Sequence, residues 1–403
     1  MSSASTWAVP RPTSASCATA SCPSPRCRTC GITPCSPPSV DIHTIGAGGG
    51  SIARIDSTGR LRVGPESAKA VPGPACYSRG GTRPTITDAH AVLGTLGTGE
   101  LAGGLVLDRE KAREAVRTIA EPLGFSIEEG AEAILAIGLA HMVRALRKVS
   151  VERGLDPREF SLVPFGGAGP LHTGLLLRHM DLKQGIVPLR PGLFSADGLL
   201  VAGLRSDHSQ TVLTTASDDA YPALIEWFDV TSRESREQLE HDGVPANHIR
   251  EDATVDCRYR GQGFELSIPI PDWSSESLQR IPELFHEAHR ERYGHSNLEE
   301  PVEIVTIRLA STGEIERIGE HVVDVPAVDL PEEAIVARRD IILPGYGSQS
   351  VAVIERSRIP AGARFEGPAV IQQMDATTVI LPEQTVEALS THDLIVTDHS
   401  RKA

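Results

Sequence analysis

Glycine and proline dominate residues 41–96, and this stretch constrains the fold more than any other part of the chain. Fourteen of its residues are glycine or proline, placed between short apolar runs. Gly46, Gly48, Gly49 and Gly50 remove the Cβ atom from four of five successive positions. Several backbone N–H groups can then converge on one anion, at a cost in conformational entropy. We therefore expect these four glycines to line a ligand site; a tight hairpin is the alternative.

Composition narrows the classes of protein and partner. With 403 residues, 40% of them hydrophobic and 23% charged, the chain is long enough for two or three domains. The net charge is −14 and Lys and Arg form no cluster, which disfavours nucleic acid as a partner. No apolar run approaches the roughly 20 residues of a membrane helix, and the N-terminus lacks the pattern of a signal peptide. We expect a cytoplasmic protein that binds small molecules or other proteins.

The first forty residues have a composition that cannot build a core. They contain no Leu, Phe, Asp, Glu or Lys, but five of the seven cysteines. A disordered tail is one explanation. A one-base shift of a permitted coding sequence for residues 5–17 reads FDMGGTSADVCLV, which is typical of a phosphate-binding hairpin. We therefore expect residues 1–40 to be a disordered, out-of-frame segment. A zinc knuckle at Cys27 and Cys30 is disfavoured, because no histidine lies nearby.

A second glycine-rich turn follows a short apolar strand. The run FSLVPF at 160–165 leads into Gly166, Gly167, Ala168 and Gly169, and an apolar helix comes next. A strand, a glycine turn and a helix in this order point free N–H groups at a ligand. An ordinary strand-to-helix connection is the alternative.

Beyond residue 205 the pattern changes. Charged amphipathic helices are predicted near 221–241 and 276–293, with short strands between and after them. This pattern favours a separate α+β domain.

Four ordered motifs carry a family resemblance. They are DIHTIGAGGGS at 41–51, GPESAKAVPGPACY at 64–77, PTITDA at 84–89 and FGGAGPLH at 165–172. Together they resemble the A-type subunit of the hydantoinase/oxoprolinase family. The resemblance extends more loosely to YRGQG at 259–263 and GPAVI at 367–371, so it covers nearly everything after residue 40.

The resemblance implies an α/β fold in which a partial actin-like (ribonuclease-H-like) ATPase lobe over 41–210 is followed by an α+β C-terminal domain over 211–403. It also implies ATP and Mg²⁺ as cofactors and a B-type subunit as partner. The implied activity is the opening of cyclic amides such as 5-oxoproline or a hydantoin. Phosphorylation of the amide oxygen turns it into a leaving group before water attacks.

The resemblance also suggests roles for single residues. The first glycine run would line the catalytic cleft, and the second turn would contact the adenosine side of ATP. Asp41, His43 and Asp88 are the candidates for ordering water, Mg²⁺ or substrate. Two of them have a structural alternative: His43 a strand histidine bound to a carbonyl, and Asp88 a helix cap. His172 and Cys76 are expected to be buried core residues.

The chain departs from the family pattern in one respect. Family members begin with a whole N-terminal lobe that carries an acidic Gly-Gly-Thr phosphate loop, and a second such loop precedes the motif at Asp41. Here the first is absent and the second survives only in the shifted frame. We therefore expect a truncated chain that is inactive by itself. Two rivals stay open: a β-type subunit of an ATP-dependent ketone carboxylase, and a non-catalytic remnant or scaffold.

Overall fold

The computed structural model describes residues 6–10, 28–30, 33–35, 43–97, 100–101, 104–313 and 322–400. Helices in these ranges are α1 (Ile86–Leu93), α2 (Arg109–Leu123), α3 (Ile127–Val149), α4 (Thr173–His179), α5 (Phe194–Leu200), α6 (Tyr221–His241), α7 (Ser275–Gln279) and α8 (Ile281–Tyr293). No helix of the described ranges is long and apolar enough to cross a membrane.

Strands in the described ranges are β1 (Thr6–Pro10), β2 (Arg28–Cys30), β3 (Thr33–Cys35), β4 (Ser51–Ile55), β5 (Leu61–Ser67), β6 (Glu100–Leu101), β7 (Leu105–Val106), β8 (Phe160–Pro164), β9 (Gln184–Val187), β10 (Leu204–Thr215), β11 (Ile249–Tyr259), β12 (Leu266–Ile270), β13 (Val302–Gly313), β14 (Val328–Asp329), β15 (Ile335–Leu343), β16 (Gly347–Glu355), β17 (Ala363–Glu366), β18 (Ala369–Gln372), β19 (Thr377–Ile380), β20 (Gln384–Ala388) and β21 (Leu394–Asp398).

The first forty residues were predicted to be disordered, and three short strands, β1 to β3, are described there. β1 pairs with β8 in antiparallel orientation, and β2 pairs with β3. The reading frame of this stretch is a property of the gene, so the out-of-frame origin stays a prediction. Cys27 and Cys30, where a zinc knuckle was disfavoured, lie outside the residues whose side chains are described.

The chain divides into two compact units. Met1–Ala196 and Glu320–Ala403 form unit 1, and Asp197–Gly319 forms unit 2. The boundary predicted near residue 210 separates two family domains, whereas these units are defined by compactness alone. The boundary therefore stays a prediction.

Unit 1 contains two sheets of four or more strands. The larger has the order β1-β8-β9-β21-β20-β17-β14, in which β8 and β9 are parallel and β9 and β21 are antiparallel. The smaller has the order β15-β16-β18-β19. The C-terminal strand β21 therefore pairs with β9, which lies more than 200 residues earlier along the chain.

Helices α1, α2 and α3 pack together beside the smaller sheet. Ile341 and Val370, from that sheet, share a buried cluster with Ile86 of α1. Gly138 lets α3 approach α1 closely, since a Cβ atom there would lie 2.7 Å from the Ile86 Cδ1 atom. The close packing of these elements holds α1 in a fixed position, and α1 carries much of the candidate site.

Unit 2 is an antiparallel sheet with the order β10-β13-β11-β12 and helices α6 to α8. Its own apolar cluster includes Phe228 and Phe285, both fully buried. The helix predicted at 221–241 is confirmed. The one predicted at 276–293 is two helices, because Pro282 stands in the first turn of α8 and favours a new start there.

Candidate functional site

The first glycine run forms a loop that one serine side chain closes. The hydroxyl of Ser51 donates to the Gly46 carbonyl oxygen (3.1 Å) and accepts from the Gly48 N–H (2.9 Å). The N–H of Ser51 donates back to the Gly48 carbonyl oxygen (2.8 Å). The loop is therefore fixed before any ligand arrives.

Gly49 lies where the first loop, α1 and the second turn meet. Its carbonyl oxygen accepts from the N–H of Thr87 in the first turn of α1 (2.9 Å). A Cβ atom on Gly49 would lie 2.8 Å from Thr87 Oγ1 and 3.5 Å from Ala168 Cβ. Only glycine fits without displacement, and the two glycine-rich turns are neighbours in space.

The second turn is held by a loop and by a distant carboxylate. The N–H of Gly166, whose φ is +80°, donates to the Pro191 carbonyl oxygen (2.7 Å). The N–H of Gly192 then donates to Asp375 Oδ2 (2.8 Å). A Cβ atom on Gly167 would lie 3.5 Å from the Asp375 carbonyl oxygen. Sequence reasoning missed Asp375, since it lies about 200 residues further along the chain.

Unpaired backbone donors mark both turns. Within the described ranges, no group accepts a hydrogen bond from the N–H of Gly49, Gly167 or Ala168. Gly167 is exposed and Ala168 half-buried. Backbone N–H groups without partners in neighbouring glycine-rich turns are suited to phosphate or carboxylate oxygens.

A buried arginine supports the loop that holds the second turn. Arg356 donates through Nη2 to the carbonyl oxygens of His392 (2.7 Å), Val187 (3.4 Å) and Pro188 (3.4 Å). Burial lowers the pKa of Arg356 to about 10, which leaves it charged at neutral pH. No sequence motif marks this residue.

Both carboxylate oxygens of Asp88 accept hydrogen bonds from other residues of the chain. Oδ1 accepts from the Cys76 N–H (2.8 Å), and Oδ2 accepts from the N–H groups of Ala75 (3.2 Å) and Thr85 (2.9 Å) and from the Thr85 hydroxyl (2.8 Å). Asp88 stands in the capping box of α1, the structural alternative named for it from the sequence. The geometry favours the cap, and a catalytic role stays a prediction.

The other two polar candidates are not brought together with Asp88 by any described contact. Asp41 lies outside the described residues. His43 is exposed and belongs to no strand, so the strand-histidine alternative does not hold. Cys76 is fully buried, as predicted. Burial and the Asp88 carboxylate raise the pKa of the Cys76 thiol far above its usual range, which excludes a thiolate nucleophile there.

Two buried histidines lie behind the turns, and only one was singled out from the sequence. His172 is buried, as predicted, and its ring centroid lies 5.0 Å from that of His90 in α1. Burial lowers the pKa of His172 to about 4. Burial, and secondarily the His172 ring, lowers the pKa of His90 well below its usual value. Both rings are therefore neutral at physiological pH.

The described residues fit a nucleotide phosphate better than a metal ion. The two turns supply donors for phosphate oxygens, as described above. No group of three or more His, Cys, Asp and Glu side chains that could hold a metal comes together among the described residues. We therefore assign no described residue to Mg²⁺.

Comparisons with known proteins agree with the motifs. The hydantoinase/oxoprolinase family model matches residues 28–208, and the model of the hydantoinase/oxoprolinase C-terminal domain matches residues 215–400. The chain is 36% identical to caprolactamase subunit alpha of Pseudomonas jessenii, over 85% of this chain and 50% of that subunit. It is 28% identical to 5-oxoprolinase of Saccharomyces cerevisiae, over 89% of this chain and 29% of that protein.

Two solved structures share the fold. The crystal structure of the ATP-dependent caprolactamase from Pseudomonas jessenii matches with a TM-score of 0.75 and 31% identity, over 91% of this chain and 54% of that one. The nucleotide-free structure of acetone carboxylase matches with a TM-score of 0.75 and 24% identity, over the same shares. The predicted α/β fold with a partial actin-like lobe is thereby confirmed. The chain spans about half the length of the caprolactamase subunit.

Proposed function

The chain belongs to the hydantoinase/oxoprolinase family, and from that premise we propose that it is part of an A-type subunit of an ATP-dependent enzyme that opens a cyclic amide. One observation carries this proposal: two glycine-rich turns lie side by side, each with unpaired N–H groups. We propose that together they form one wall of the nucleotide site. The relatives support it, since one structure is titled an ATP-dependent caprolactamase and a lactam is a cyclic amide.

The residues of this chain would act by holding the bound nucleotide in position. The N–H groups of Gly49, Gly167 and Ala168 would hold phosphate oxygens, and Ser51 would keep the first loop in shape. When bound, ATP supplies the phosphoryl group that makes the amide oxygen a leaving group. Asp41 and His43 stay the candidates for ordering water or substrate.

Binding of tripolyphosphate and ATP to the full chain tests the nucleotide wall. We expect weak binding, because one wall provides only part of the contacts, and we expect it to shift the amide NMR signals of Gly49, Gly167 and Ala168. The amide of Gly263, in unit 2, serves as the internal control. Binding that leaves these three signals unmoved, or no binding at all, would favour the non-catalytic scaffold instead.

A partner subunit is part of the proposal. The caprolactamase relative is called a subunit, whereas 5-oxoprolinase is matched over only 29% of its length and so carries much additional sequence in one chain. We propose that a B-type subunit supplies that additional part here. Co-purification of the full-length parent protein with a B-type subunit encoded beside it tests this. A parent enzyme that opens lactams without such a subunit would contradict it.

A second candidate function rests on the acetone carboxylase structure, whose TM-score equals that of caprolactamase. In that case the parent enzyme would carboxylate a ketone. A product assay separates the two reactions, because a ring-opened acid and a carboxylated ketone differ in mass. The higher identity to caprolactamase, 31% against 24%, makes the cyclic amide our first choice.

A further inference from the structure

Two buried imidazoles connect the elements that carry the glycine-rich turns. His90 lies on α1, three residues after Thr87, whose N–H holds the Gly49 carbonyl oxygen. His172 lies three residues after Gly169, at the end of the second turn. The ring centroids are 5.0 Å apart and the ring planes are inclined by 57°. The nucleotide proposal gives neither ring a role.

The hydrogen bonds of Thr95 favour one tautomer of His90. The single hydroxyl proton of Thr95 is donated to the His90 carbonyl oxygen (3.0 Å). The same hydroxyl lies 2.8 Å from His90 Nδ1 and, with its proton on the carbonyl, accepts there. His90 thus carries its proton on Nδ1, and its Nε2 is a bare acceptor.

Both Nε2 atoms are buried without a partner among the described residues. A buried polar atom that makes no hydrogen bond is unfavourable, and few are found in folded proteins. The bare acceptor of His90 needs a donor, and a neutral His172 supplies one if its proton is on Nε2. The two unsatisfied atoms are then complementary.

We propose that His90 and His172 form a latch between the two turns, in which the Nε2–H of His172 donates to the bare Nε2 of His90 when an anion binds to the turns. The latch rests on the proposed function only for the identity of that anion. No proton is transferred, since donor and acceptor keep their tautomers. Both residues act through the turns and are positioning residues.

NMR of the full chain labelled with ¹⁵N-histidine tests the tautomers directly. We expect His90 to carry Nδ1–H and His172 to carry Nε2–H in the free chain. With tripolyphosphate added, we expect a scalar coupling between the two Nε2 nuclei. A proton on His90 Nε2 or on His172 Nδ1 overturns the latch. Correct tautomers without the coupling in the bound chain also overturn it, since a bridging water would then separate the rings.

A mutant cycle tests the consequence for binding. His90→Phe and His172→Phe keep the ring shape and remove the nitrogen atoms. We expect each to weaken tripolyphosphate binding by about threefold to tenfold, as for one neutral hydrogen bond, and the double variant to lose no more than either single variant. His179→Phe is the control, because His179 is exposed on α4 and bonds its own helix at the Leu175 carbonyl. Additive losses in the double variant overturn the latch.

The two hypotheses fail separately. If the wild-type chain binds no tripolyphosphate, the proposed nucleotide wall fails, and the tautomers of the free chain still decide whether the rings are complementary. If tripolyphosphate binds and both phenylalanine variants bind it like the wild type, the nucleotide wall stands and the latch is overturned.

Discussion

At the scale of single residues, Gly49 is a position in the site where a side chain would force its neighbours to move. In Gly49→Ala the new Cβ would lie 2.8 Å from Thr87 Oγ1, so the loop or α1 must shift. We expect tripolyphosphate affinity to fall at least about tenfold, and the free energy of unfolding to fall by about 1–3 kcal/mol, as for overpacking. Titration and urea unfolding measure the two effects. Gly198→Ala is the control, since no atom lies within 4 Å of a Cβ there.

A substitution at Asp88 tests whether its carboxylate has a structural or a catalytic role. Asp88→Asn removes one acceptor oxygen from a group that accepts from Ala75, Cys76 and Thr85. We expect the free energy of unfolding to fall by about 1–3 kcal/mol, because buried donors lose their partner. Tripolyphosphate affinity should change less than threefold in protein that remains folded. An unchanged melting temperature would contradict the capping role and revive the catalytic one.

The buried histidines make stability depend on pH. The folded-state pKa of His172 is about 4, below the ordinary value of 6.5 that the unfolded chain has. As the pH falls, His172 therefore binds a proton in the unfolded chain at a higher pH than in the folded chain. The contribution of neutral, buried His172 to the free energy of unfolding is fully present above about pH 6.5. As the pH falls towards about 4, the free energy of unfolding decreases by roughly 3 kcal/mol. Urea unfolding across this range measures it. His172→Phe should flatten the curve, and an equally steep curve in that variant would contradict the assignment.

Residue types alone predicted the two glycine-rich turns, but not the side chains that hold the second turn in place. Missing Cβ atoms are visible in the sequence, and both predicted turns do lie together. The roles of Asp375 and Arg356 were not visible, because each acts on a loop more than 160 residues away. His90 was passed over for another reason, since a histidine in an apolar helix gives no sign of what it faces.

At the scale of elements, α1 is the support on which the first loop rests. Its capping box joins Thr85 and Asp88, and α3 begins with an equivalent box of Ser126 and Glu129. We expect Thr85→Ala and Ser126→Ala each to cost about 0.5–2 kcal/mol of stability. Only Thr85→Ala should also weaken tripolyphosphate binding, because only α1 donates to Gly49. Equal effects of the two variants on binding would show that α1 has no special part.

Local signals predicted some elements well and others poorly. The start of α3 is marked by Ser126 and Glu129, which bond to each other without help from the rest of the fold, so a local pattern can indicate it. The strand β9 was missed, because Gln184–Val187 is four residues long and is stabilised by its neighbours β8 and β21. Short strands depend on their partners, and partners distant in sequence leave no local pattern.

At the scale of the whole molecule, the chain returns to unit 1 after unit 2. The sequence suggested two consecutive domains, since composition changes near residue 205. That division stays a prediction. Within unit 1, β21 lies beside β9, and residues of 341–381 belong to the cluster that surrounds α1. Such a return is a non-local contact, and neither composition nor periodicity reports it.

This return predicts how fragments of the chain behave. Residues 43–210 alone would lose Ile341, Val370, Leu381 and the other C-terminal members of two buried clusters. Each buried aliphatic side chain contributes about 1.5–3 kcal/mol, so the loss exceeds the roughly 5–15 kcal/mol that stabilises a typical domain. We expect no cooperative unfolding transition for this fragment by circular dichroism. Residues 197–319 are the control, because that unit has its own cluster around Phe228 and should unfold cooperatively.

Co-expression of two fragments tests whether the C-terminal strands are the part that the 43–210 fragment lacks. We expect 43–210 co-expressed with 320–403 to form a complex that unfolds cooperatively, because β20 and β21 then pair and β21 joins β9. The complex should also bind tripolyphosphate, since the loop of Gly192 regains Asp375 as its acceptor. A fragment of 43–210 that folds and binds by itself would show that both glycine turns are held by local contacts alone.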